Sequence, residues 1–162
     1  MSVTETHEVK ETLVVEVNVP GHDARVATSL FKRTKKLLIE RDGERCYVCN
    51  RTPEQSGHPL ESHHHPIERS MANMIDWTLF MKDAKAGKSG PHAQAFDWDK
   101  FDPNDPMTFV DDQTVNGILL CKDHHTGMNQ GIHDMPYPLW IAQKYGKEGY
   151  VFSDHEVIHH AT

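Results

Sequence analysis

The chain has 162 residues, 37% of them hydrophobic, with a formal net charge of −7, 13 histidines and three cysteines. That length fits one domain with a modest core, and the apolar fraction excludes wholesale disorder. No apolar run is long enough to cross a bilayer, and residues 1–10 are polar and acidic rather than signal-like, so a cytoplasmic protein without a membrane partner is expected. The charge is uneven. Residues 32–51 hold seven Lys or Arg against three acids. One short stretch of an otherwise acidic protein is therefore suited to face phosphate.

In chain order, residues 1–12 read as a flexible tail. The β-branched run over 13–19 predicts a strand, closed by Pro20 and Gly21. A helix is predicted over 29–41, where Leu30, Phe31, Thr34, Leu37, Leu38 and Arg41 share a face, Thr28 or Ser29 caps the start and Gly43 ends it. Lys32, Arg33, Lys35 and Lys36 lie largely off that stripe. They read as a solvated face and are the candidate substrate-binding cations. A knuckle follows at Cys46-Tyr47-Val48-Cys49, then a short strand over 60–65 that stops at Pro66. Residues 67–80 predict a helix burying Ile67, Met71, Met74, Ile75 and Leu79. Residues 83–91, rich in Lys, Gly and Ala, read as a mobile loop. The acidic stretch 97–112 carries Trp98, Phe101 and Phe109; its acids Asp97, Asp99 and Asp102 fail the EF-hand pattern and read as solvated. A second strand is predicted over 115–120, a helix start over 122–129, and a helix over 138–145 with Trp140 in its core. A strand over 150–152 comes next, and Ser153 with Glu156 matches a capping box for a last helical turn.

Three cysteines cannot all pair with one another, and in a cytoplasmic chain an odd count favours metal over disulfide. Cys46 and Cys49 form a C-x-x-C pair, and Cys121 and His124 form a C-x-x-H pair. Zinc takes four such ligands in a tetrahedron, so the two pairs would supply a structural Zn²⁺ and tie distant segments together. The competing reading, inert buried cysteines beside a coincidental histidine, leaves unexplained why every cysteine falls in the pattern.

Between the knuckles lies Leu60-Glu61-Ser62-His63-His64-His65-Pro66; Asn116-Gly117-Ile118-Leu119-Leu120 leads into Cys121, and His125 follows His124 directly. With the leader Arg41-Asp42-Gly43-Glu44-Arg45-Cys46, this arrangement resembles the HNH endonucleases, also called ββα-metal nucleases, and is similar to small HNH proteins of bacteriophages. It departs from the family in placing His124 where a fourth cysteine is usual. The resemblance implies an α+β fold: a single domain over 13–162 with a ββα finger (core about 41–83 and 115–133), zinc knuckles, surrounding helices and a long insertion over 84–114. It implies that His63 and His125 hold a catalytic divalent metal, that His64 is the general base and that Asn116 orients it. The triple histidine leaves a second register open, in which His65 is the base. His133, in a Gly-Ile-His ending, would add a ligand, contact phosphate or buttress the site.

This chemistry is coherent without the family name. A phosphodiester is an anion that resists hydroxide. A divalent metal, Mg²⁺ or another divalent transition ion, neutralises the developing charge, and a neutral imidazole accepts a proton near pH 7. The expected activity is hydrolysis of phosphodiester bonds in DNA; the sequence does not separate DNA from RNA. Two rivals stand: a catalytically inactive zinc-binding module that binds nucleic acid or protein, and a metallohydrolase acting on a small phosphate compound in a narrow, closed pocket.

Overall fold

The computed structural model describes residue 18, residues 20–21 and residues 26–162. The tail expected over 1–12 and, apart from Asn18, the strand expected over 13–19 lie outside the described residues. Helix α1 (Ser29–Asp42) begins where Thr28 Oγ1 accepts the Phe31 N–H at 3.1 Å. It ends at Gly43, whose φ of 64° is the left-handed conformation that glycine adopts at least cost. Thr34 and Leu38 form its buried seam, but Leu37 is 45% exposed, against expectation. Arg41 holds its place by polar contact instead: its guanidinium donates to the carbonyls of Thr114 and Gly117, each at 2.8 Å.

A short helix, α2 (Pro53–Ser56), follows the first knuckle, capped reciprocally by Thr52 and Gln55. Strands β1 (Glu61–His63) and β2 (Ile118–Leu120) pair antiparallel, with His63 opposite Ile118 and Glu61 opposite Leu120. Helix α6 (Lys122–Thr126) starts immediately after β2. Three-residue strands supply few ladder bonds, so burial must hold this unit. Leu38, Val48, Leu60, Leu119, Leu120 and Trp140 form one core with the three cysteines. Trp140, on helix α7 (Tyr137–Tyr145), is fully buried and donates its indole N–H to the His124 carbonyl at 2.8 Å.

Residues between the two strands build a second core. The predicted helix over 67–80 is two pieces, a 3₁₀ turn at Arg69–Met74 and helix α3 (Trp77–Lys85), separated where Asp76 caps α3 through the Leu79 N–H. The break rotates the face, so Met71, Met74 and Leu79 are 42%, 50% and 58% exposed while Ala72 and Trp77 are buried. The region expected as a mobile loop contains the end of α3 and turns closed by Gly87 N–H to Ala84 and Lys88 N–H to Asp83. Helices α4 (Pro91–Gln94) and α5 (Met107–Val110) complete the lobe. Trp77, Trp98 and Phe109 are its buried aromatics, with Phe80, Phe96 and Phe101 packed against them. Thus the acids of 97–105 are solvated as expected, while the interleaved aromatics form the interior.

The C-terminal capping box does not form. Ser153 ends strand β3 (Val151–Ser153), which pairs antiparallel with β4 (Glu156–Val157) as a hairpin. Apolar residues at 151, 152 and 157 favour an extended pair, and Glu156 turns to another partner. The architecture is α+β, and among the described residues no helix is long and apolar enough to cross a membrane.

Candidate metal centres

The first knuckle is set by the Cys46 N–H bonding Arg51 O at 3.0 Å and the Asn50 N–H bonding Cys46 O at 2.9 Å. The second is the lead from β2 into α6. Together they bring Cys46, Cys49, Cys121 and His124 to one buried point, with ligand atoms all within 4.8 Å of one another. Cys49 and Cys121 sulfurs are 3.9 Å apart, and His124 Nδ1 lies 3.2 Å from Cys121 Sγ and 4.0 Å from Cys46 Sγ. A zinc tetrahedron with bonds of ~2.3 Å to sulfur implies ligand separations of about 3.6–3.8 Å. The set fits such an ion.

Its electrostatics fit too. Hydrogen bonds from the Cys121 and Cys46 thiols, with smaller help from Arg51, hold the Cys49 sulfur as a thiolate. Hydrogen bonds to Cys46 and Cys49, with burial, push the Cys121 thiol up. Burial would lower the His124 pKa, but bonds to the Cys46 and Cys49 sulfurs and to Glu156 raise it to about 11. A site that draws a proton onto an imidazole to balance its sulfurs is a site that favours a cation. His124 Nε2 donates to Glu156 Oε1 at 2.9 Å, a carboxylate behind the ligand that fixes the ring and leaves Nδ1 facing the sulfurs. Arg51 Nε, 3.1 Å from Cys49 Sγ, offsets the surplus negative charge.

A second cluster lies along β1. Successive residues of an extended chain face opposite sides. His63 is buried, and its ring meets those of His125 and His133 at centroid distances of 5.3 and 4.9 Å. The three imidazoles place ligand nitrogens within 4.8 Å of one another. His133 reaches them because the chain doubles back after α6, with Ile132 N–H bonding His124 O and His133 N–H bonding His125 O. Gly131 permits the fold-back: a Cβ there would lie 2.6 Å from the His125 carbonyl oxygen. Carboxylates again stand behind the rings. His63 Nε2 is 3.1 Å from Glu68 Oε1, and His125 Nδ1 donates to the Glu61 carboxylate.

His64 faces the other way. Its ring stacks on Phe31 at 5.5 Å and its Nε2 lies 3.2 Å from Asp111 Oδ1. It lines a cavity of about 290 Å³ with Val26, Ala27, Phe31, Glu68, Arg69 and Asp111. Glu68 borders both places: it pairs with His63, and its carboxyl, raised by burial, is brought net below its ordinary range by His63, His133 and His64. His65 is half-buried, and burial first, then His63, holds it below the usual imidazole range. The Asn116 side chain makes its hydrogen bonds to main chain rather than to His64. It is fully buried, donates to the carbonyls of Ile67 and Val110 and accepts the Ile67 N–H, each at 2.9 Å. Every polar atom of its amide is spent on main chain, so its role is to clamp both ends of the second lobe beside β1.

The predicted cations Lys32, Arg33 and Lys36 are exposed and Lys35 is half-buried along α1. Sequence reasoning names six of the seven residues of the two clusters as ligands and reads His133 first as a buttress; it misses Glu61, Glu68, Asp111 and Glu156 as their supports. Of these only Glu156 carries a local signal, and that signal is for a helix cap. No family model, curated protein or solved structure matches this chain.

Proposed function

We propose that the protein is a metal-dependent nuclease of the HNH type, in which β1, β2 and α6 form the ββα unit and the Cys₃His cluster holds a structural zinc. One observation carries the reading: His63, His125 and His133 converge within 4.8 Å on the same small unit that the first cluster braces. A divalent ion held by these three would neutralise charge on a phosphodiester and its leaving oxygen. Three imidazoles suit Zn²⁺, Ni²⁺ or another transition metal better than Mg²⁺, which prefers oxygen ligands. His64 serves as proton acceptor from the neighbouring cavity, and the exposed cations of α1 meet the DNA backbone. The cavity fits a small phosphate substrate poorly, because Glu68 and Asp111 line it against a single arginine.

The test is nicking of supercoiled plasmid with Mg²⁺, Mn²⁺, Ni²⁺ or EDTA. Cleavage is expected with a transition ion and lost with EDTA. His125→Ala should lose cleavage, recover part of it in excess metal, and keep the zinc of the Cys₃His cluster. If the wild type cuts under no metal, the nuclease reading fails. The zinc-stabilised binding module, which the net charge of −7 and the purely structural Asn116 favour, then takes its place.

A further inference from the structure

Resting on that nuclease reading, we infer that Asp111, not Asn116, is the positioning residue for His64. Asp111 lies at the end of α5, 47 residues from His64 in sequence, and is 1% exposed. Its two oxygens have separate duties. Oδ2 accepts the Thr28 hydroxyl at 2.8 Å, which joins the lobe to the start of α1. Oδ1 faces the cavity, 3.2 Å from both His64 Nε2 and Arg69 Nε. Burial alone would push this carboxyl up; the bonds from His64 and Thr28 and the charge of Arg69 bring it net below its usual range. A carboxylate can only accept a hydrogen bond, so Nε2 of His64 must carry the proton shared with it. In the neutral ring, the lone pair is then on Nδ1. Phe31 stacks on one face of the ring, with centroids 5.5 Å apart, and limits how the imidazole can turn. The lobe between β1 and β2 thereby supplies a part of the site, since it delivers Asp111.

The step this supports is balanced. A water proton passes to His64 Nδ1 while the water oxygen bonds phosphorus. The bond from phosphorus to the leaving sugar oxygen breaks, and that oxygen takes a proton from solvent. Asp111 holds the Nε2 proton throughout and stabilises the imidazolium that forms.

The test uses the full-length, zinc-loaded protein and a DNA duplex. Asp111→Asn keeps the shape and a partner for Thr28 but removes the obligatory acceptor. It should lower kcat on the order of 10²-fold, within the range for losing general-base help, with KM changed less than about twofold. Groups that act as one unit are strongly non-additive. In a His64→Ala background, measured in single turnover with enzyme in excess, Asp111→Asn should therefore cost nothing further. Equal losses in both backgrounds, or a raised KM with kcat intact, would mean that Asp111 only shapes the fold, and would overturn the inference. A second readout needs no turnover: the wild type should show a slowly exchanging, downfield Nε2–H resonance for His64 that Asp111→Ala removes. Absence of that resonance in the wild type also overturns the inference, even where cleavage is robust. If the resonance is present but no metal supports cleavage, the nuclease reading has failed, and with it the assignment of His64 as a base.

Discussion

Glu156 and Glu61 do the same job at two histidines: each accepts an imidazole N–H and so decides which nitrogen carries the lone pair, while Glu68 pairs with His63 at 3.1 Å. For the buried cluster this predicts a graded response. Cys49→Ser should abolish stoichiometric zinc and lower thermal stability, because binding of a structural ion is itself folding free energy. Glu156→Ala should leave zinc bound but weaken it by about 10- to 100-fold, measured by competition with a chromogenic chelator. Equal zinc affinity in Glu156→Ala and wild type would remove the carboxylate from the site's function. The ligands themselves are legible in the sequence because each half of the set is a local pattern, two residues separated by two others. Their supporting carboxylates are not, since Glu156 reaches His124 across 32 positions and Glu61 reaches His125 across 64. Asn116 is found at the right place in the sequence but assigned the wrong partner: an amide fits an imidazole or main chain equally well, and only the path of the chain after Pro66 shows which one it meets.

Helix α1 is readable almost to the residue because its cap and its terminal glycine agree, although Leu37 of the predicted stripe is exposed. Two matches to the capping-box pattern have opposite outcomes. Thr52-Pro53-Glu54-Gln55 forms one, helped by a proline in the first turn and a glycine at the end. Ser153 to Glu156 does not, because the β-branched and aromatic residues around it pair as strands and Glu156 is drawn to His124. The pattern states a local preference that flanking residues and a buried partner can outweigh. On the exposed side of α1, replacing Lys32, Arg33, Lys35 and Lys36 with Gln should flatten the salt dependence of DNA affinity, by roughly 0.9 in log–log slope for each phosphate no longer neutralised. Fluorescence anisotropy across a salt series measures this. An unchanged slope would place the DNA surface elsewhere. The alternative surface carries Lys82, Lys85 and Lys88, of which Lys85 and Lys88 are partly neutralised by ion pairs with Asp99 and Asp83.

At the scale of the molecule there are two cores with one seam. The first gathers around the cysteines and Trp140, the second around Trp77, Trp98 and Phe109. The order of predicted elements points to an α+β chain with an insertion, but the second core draws in Ile67 and Trp77, upstream of the expected boundary at 84. The acids of this segment read as solvated in the sequence, but only closure of the lobe shows that the aromatics between them share one side and form a core of their own. The seam is polar: Thr34 Oγ1 bonds Asp111 O and accepts the Gln113 N–H, each at 3.0 Å, and Asn116 spans Ile67 and Val110. The lobe also lies wholly within the loop that the Cys₃His cluster closes, since Cys49 and Cys121 meet across 72 positions. An ion held by the four ligands would be a rivet between two lengths of chain, and peptide continuity through the lobe would become dispensable once it is set. A protease cut at the exposed turns near Lys88 should leave two fragments that travel as one particle on a sizing column while zinc is bound, and part when a chelator is added.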